Sequence, residues 1–180
     1  MALIKLNNQS LSAVTSAGLP SGTVLQVKSA EATATQTISS NTRVDGTGLT
    51  VTLTPSSSSS KFLIMANVHG GAETTGWYGT YGYLVRVVGA TSTDLFVGDA
   101  AGSRSRVTFE LSRNPAGERM GNDSVTYLDS PATTSSITYK LQFRSVQNTS
   151  WTLNGWDYQD DDNSQRARAA SSITVMEIAG

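Results

Sequence analysis

The segment Ile137-Thr138-Tyr139-Lys140-Leu141-Gln142-Phe143-Arg144 alternates apolar and polar residues without a break. On a helix of 3.6 residues per turn, its four apolar side chains would be scattered around the whole circumference. On a strand they share one face, so the period of two predicts a half-buried β-strand. The same period recurs outward from this point. Leu49, Val51 and Leu53 alternate with Thr50, Thr52 and Thr54, and Val107, Phe109 and Leu111 with Arg106, Thr108 and Glu110. Two segments, Phe62-Leu63-Ile64-Met65-Ala66 and Tyr83-Leu84-Val85-Arg86-Val87-Val88, read as buried on both faces. Central strands, or strands that face a second subunit, have that pattern.

Turn residues punctuate these runs: Asp45-Gly46-Thr47-Gly48, Gly70-Gly71, Gly121 and Asn154-Gly155 are examples. Pro55 and serines 56–60 lie between two strand patterns and are expected to form a hairpin loop rather than a linker. No helical window of three turns survives these interruptions. About ten short strands, at a spacing of about ten residues, predict an all-β fold. The expected architecture is an antiparallel β-sandwich, jelly-roll-like, over residues 23–180, with a short N-terminal arm over residues 1–22. The arm carries Leu3, Ile4, Leu6, Leu11 and Val14 as candidate anchoring residues, and Pro20 and Gly22 mark its end.

Composition excludes most chemistry. The net charge of −1 gives no electrostatic case for nucleic acid or an anionic membrane surface. Cysteine is absent and there is a single histidine, which removes thiolate metal sites, thiol nucleophiles and poly-histidine sites. No apolar run is long enough to span a membrane. The opening MALIKLNNQS turns polar at Asn7, so no secretory signal peptide is expected. Charged residues make up 15% of the chain, whereas about 25% is usual. Ser and Thr supply about a quarter of the residues, which leaves a surface hydrated by hydroxyls.

Three places could carry function. His69 is the one side chain of the usual general-base type, but no nucleophile elbow accompanies it; a strand-end histidine in a hydrogen bond or a subunit contact is the simpler reading. Asp157, Asp160, Asp161 and Asp162 form an acidic loop whose oxygens suit calcium. Arg166 and Arg168 follow at once, so a solvated loop or an ion-pair cluster stands beside the metal reading; no other cofactor is expected. Aromatic residues gather at Trp77, Tyr78, Tyr81 and Tyr83, and again at Trp151, Trp156 and Tyr158. Tyr81, Tyr83 and Trp151 fit a strand core. Trp77, Tyr78, Trp156 and Tyr158 border Gly and Asp in expected loops, where such rings grip sugars or partner proteins.

Several segments taken together resemble small virion proteins of tailed bacteriophages, of the marine and cyanobacterial kind. They are Met1-Ala2-Leu3-Ile4-Lys5-Leu6-Asn7-Asn8, the strand Thr23–Val27, Pro55 with the serines before Lys61-Phe62-Leu63-Ile64, Tyr127-Leu128-Asp129-Ser130-Pro131 before Ile137, and the ending Ser172–Ile178. The resemblance implies a β-sandwich head, often trimeric, on an N-terminal attachment segment, and it carries over no catalytic residue. The expectation is therefore a non-enzymatic virion protein, made in the host cytoplasm without a signal peptide. Its partners would be two further copies of itself, other capsid or tail proteins, and a host surface glycan. It would act as a tail-fibre head or as a capsid-decorating module. The alternative is a free lectin-like carbohydrate-binding module. A glycan hydrolase using Asp157 and Asp160 comes third.

Overall fold

The computed structural model describes residues 19–72, 79–111, 120–146, 150–156, 162, 164 and 166–180. In chain order the strands are β1 (Val24–Ala32), β2 (Gln36–Ile38), β3 (Val44–Leu53), β4 (Lys61–Gly71), β5 (Thr80–Val88) and β6 (Thr91–Leu95). There follow β7 (Phe109–Leu111), β8 (Gly121–Asp129), β9 (Ile137–Ser145), β10 (Trp151–Leu153) and β11 (Ser171–Ile178). All pairings are antiparallel. The first sheet runs β1-β11-β4-β8, with β10 and then β2 continuing from the far end of β4. The second runs β3-β9-β5, with β6 and β7 both pairing with β5. Consecutive strands cross between sheets as β3 to β4, β4 to β5 and β8 to β9, so the two sheets pack face to face as an antiparallel β-sandwich. The arm expected over residues 1–22 falls mostly outside the described residues.

The core forms where the alternating faces meet. Ile137, Tyr139, Leu141 and Phe143 of β9 point inward, as their period requires. Opposite them stand Phe62, Ile64, Ala66 and Val68 of β4, with Ile173 and Val175 of β11. Aromatic pairs hold the two sheets together, Phe62 with Tyr139 at 5.9 Å between ring centroids and Phe143 with Trp151 at 5.5 Å. One charged pair lies among them. Arg86 Nη1 donates to both oxygens of the buried Asp129 carboxylate at 2.7 and 2.8 Å, and the Tyr139 hydroxyl donates to the same group at 2.8 Å. Burial, then this hydrogen bond to a carboxylate, pushes the Tyr139 hydroxyl far above its usual pKa.

Two expectations about turns are corrected. The serine segment is not a hairpin loop: β3 pairs with β9 while β4 pairs with β11 and β8, so residues 54–60 carry the chain from one sheet to the other. Gly70-Gly71 is not a turn but the end of β4. Glycine is needed there for room. The Trp151 indole lies over Gly70, and a Cβ at that position would stand 2.1 Å from Trp151 Cζ2. Gly70→Ala should therefore destabilise the fold by about 2–3 kcal/mol, read as a lowered urea midpoint with an unchanged m-value. A neutral result would show that the indole can move aside.

Candidate functional site

The strand directions give the sandwich two distinct ends. At one, Gly22 N–H donates to Ala179 O and Ala179 N–H to Thr23 O, so the incoming chain is tied to the outgoing one. The 54–60 crossover and the turn after β5 lie at this same end, as the pairs Lys61–Ile178 and Val88–Thr91 require. At the other end, Gly71 pairs with Thr152, Gly70 with Gly121, and Thr80 with both Ser145 and Leu111. β4, β7 and β9 end there, and β5, β8 and β10 begin there. With eleven residues in β4, the two ends are about 33 Å apart at 3.3 Å per residue.

Each end is held by a buried polar group. At the loop end, Asn154 is fully buried with φ of 58°. Its Nδ2 donates to Ala32 O and Ala34 O, and its Oδ1 accepts from Ser171 Oγ at 2.6 Å. Ser171 Oγ in turn accepts from His69 N–H, while Asn154 N–H donates to His69 O. Asparagine suits the place because it tolerates the left-handed region and carries both a donor and an acceptor. At the arm end, the Glu177 carboxylate accepts from Gln26 Nε2, from Ser56 N–H and from Ser56 Oγ. Burial pushes its pKa upward, and these hydrogen bonds outweigh burial and hold it below the ordinary value of 4.5. Beside it a cleft of about 250 Å³ is lined by Leu19, Leu25, Ser57, Ser60 and Ala179.

The outer face of the second sheet is covered by its own charges. Arg43, just before β3, reaches across β9 and β5 to Asp94 on β6, where two hydrogen bonds of 2.7 and 2.8 Å form. Its guanidinium lies 3.6 Å from the Tyr83 ring centroid. Tyr83 and Val85 point outward, yet are only 2% and 1% exposed. Lys140 and Gln142 donate to Asp45 on the same face. Burial raises the Asp45 pKa, and these two donors outweigh it and bring it below its ordinary value.

The expected site residues are distributed as follows. Trp156 is 7% exposed, which corrects its placement at the surface: it follows Asn154-Gly155 into the interior. Trp151 is core, as its strand position predicts, whereas Tyr81 and Tyr83 face outward on β5, Tyr81 half-buried beside Arg144 and Tyr83 covered by Arg43. His69 lies within β4, and its ring meets the Asn122 amide, with Nδ2 3.0 Å from Nε2. Asp162 occupies an exposed turn position, and no group of metal-ligating side chains is present among the described residues. Trp77, Tyr78, Tyr158, Asp157, Asp160 and Asp161 lie outside the described residues, as do Leu3, Ile4, Leu6, Leu11 and Val14. Among the described residues, no helix is long and apolar enough to cross a membrane. Sequence reading missed Arg43, Asp94, Glu177 and Asn154 as organising residues. Only Asn154 had a local signal, its place before Gly155. No protein-family model matches the chain, and no curated protein matches it in sequence.

Two predictions test the supports. Asn154→Gly keeps the backbone angle and loses the side-chain bonds, so it should cost about 2–3 kcal/mol. Asn154→Ala should cost about 1 kcal/mol more, for the left-handed backbone. Equal costs in equilibrium unfolding would refute this division. For Glu177 the folded pKa is lowered, so its contribution is present above pH 4.5 and is lost as pH falls through the folded pKa. Glu177→Gln should be less stable at neutral pH and show a flatter acid limb in unfolding against pH; an unaltered acid limb would rule the carboxylate out as its source.

Proposed function

We propose that this chain is a non-enzymatic structural protein of a bacteriophage virion, a homotrimeric β-sandwich serving as a fibre head or a capsid-decorating module. The observation that carries this reading is the separation of the two ends. The arm enters the sandwich beside the C-terminal strand, at the end with the Leu19 cleft. β4 ends and β5 begins at the opposite end, and this reading puts Trp77, Tyr78 and Tyr158 there. An object anchored at one end and exposed at the other needs this arrangement. The sparse charge and the outward Ser and Thr positions suit a surface standing within an assembly. In the fibre version the loop end meets a host glycan; in the decoration version the arm lies along the capsid.

Copy number decides between the versions: this chain should be present in few copies per particle as a fibre and in near equality with the major capsid protein as decoration. Deleting residues 1–22 should remove it from purified particles while the sandwich still folds. Trp77→Ala with Tyr78→Ala should lower host adsorption without changing incorporation. A protein that binds glycans in solution and never joins particles would instead be a lectin-like module, and the virion reading would fail.

A further inference from the structure

The two outer faces of the sandwich are treated in opposite ways. On the second sheet, the outward Tyr83 lies beneath the Arg43 guanidinium and the outward Val85 is flanked by Asp94 and Lys140, all of which the chain itself supplies. On the first sheet no such cover is present among the described residues. There the pairings Val27–Met176, Met176–Leu63 and Leu63–Leu128 form one continuous rung across β1, β11, β4 and β8. All four residues point outward, because their strand neighbours Ile64, Val175 and Glu177 point into the sandwich. Val27 is 53% exposed and Leu128 49%. The next rung is Ser29, Thr174, Met65 and Thr126, and a shallow groove of about 230 Å³ lies along it between Met65, Thr126 and Thr174.

We propose that this face is where copies of the chain pack against one another, with the Val27–Met176–Leu63–Leu128 rung at the centre of the contact. Size supports a second copy as the occupant. Four strands at about 4.8 Å and eight residues at about 3.3 Å make a face of about 19 by 26 Å, roughly 500 Å² in plan. Side-chain relief raises its accessible area toward the about 800 Å² per partner of a stable association. Charge supports it too. Between Lys61 at one end and Glu31 at the far corner, the outward positions of these strands are Ser, Thr, Asn, His, Val, Leu, Ile and Met. Two such faces can meet without opposing like charges, and the two charged residues are of opposite sign. An apolar centre within a hydroxyl and amide rim is the anatomy of a specific interface. The number of copies rests on the trimeric reading above; the face does not.

The test is the mass of the full-length protein by analytical ultracentrifugation, for the wild type and for Leu63→Glu with Leu128→Glu. The wild type should be an oligomer. The double variant should associate at least about a hundredfold more weakly, since carboxylates would then face one another across the contact. Its circular dichroism should be unchanged, because both residues point away from the core. A second measurement does not depend on that variant. The chain has no cysteine, so Thr174→Cys places one thiol on this face and Ser92→Cys one on the other sheet. A short thiol-specific cross-linker should join copies of the first and not of the second. A monomeric wild type overturns both this proposal and the trimeric reading. An oligomer that survives the double variant, or cross-links through Ser92→Cys, overturns the face alone and leaves the trimeric reading standing.

Discussion

β4 must be paired along both of its edges before the first sheet can close. On one side it takes β8 over Phe62–Gly70, and on the other β11 over Lys61–Asn67. Both partners come late in the chain. The bond from His69 N–H to Ser171 Oγ joins residues 102 apart, and the loop-closure entropy of such contacts must be met before they return any stability. The buried polar groups lie where these long-range pairings end: Asn154 and Ser171 where β11 begins, Glu177 near where it finishes. A buried carboxylate or amide satisfied only by distant partners penalises every arrangement in which those partners are absent. Register is thereby selected as well as stabilised.

The low charge of the chain gains meaning from where its few charges are. Arg43, Asp45, Asp94 and Lys140 all lie on the outer face of the second sheet. The Arg43–Asp94 pair is about one-third exposed, and such pairs contribute about 0–1 kcal/mol as ion pairs. Its larger effect is to lay the arginine guanidinium over Tyr83. Asp129 and Arg86 use the same chemistry inside the sandwich, where Tyr139 completes the set. Charge here seals one face and locks the sheets together, and on the other outer face it is confined to Lys61 and Glu31 at the margins.

Residues whose neighbours reveal their environment were legible from sequence. Ile137 through Phe143 alternate cleanly because β9 is central in its sheet, with one face on the core and the other under a polar layer. Leu49, Val51 and Leu53 show the same. Trp156 misled because its neighbours are Gly155 and Asp157, polar turn residues, while its burial comes from the fold around it. The serines after Pro55 misled because a loop between two strands is composed alike whether the strands pair or part company. Arg43 with Asp94, and Gln26 with Glu177, have no local signature, since their partners lie 51 and 151 residues away. The apolar rung was hidden for a further reason. Val27, Leu63, Leu128 and Met176 come from four separate strands, and only the register aligns them.

The bonds between Gly22 and Ala179 and between Ala179 and Thr23 also set what can be built on this scaffold. Since Leu19 and Gly180 line one cleft beside the same serines, a short linker could join them and let the chain be reopened at Gly89-Ala90, the tight turn between β5 and β6. Such a permutant would retain every sheet pairing except the continuity of one hairpin. Cargo fused after Gly180 would emerge beside the arm, about one strand length from the opposite end, so that end would remain free for display.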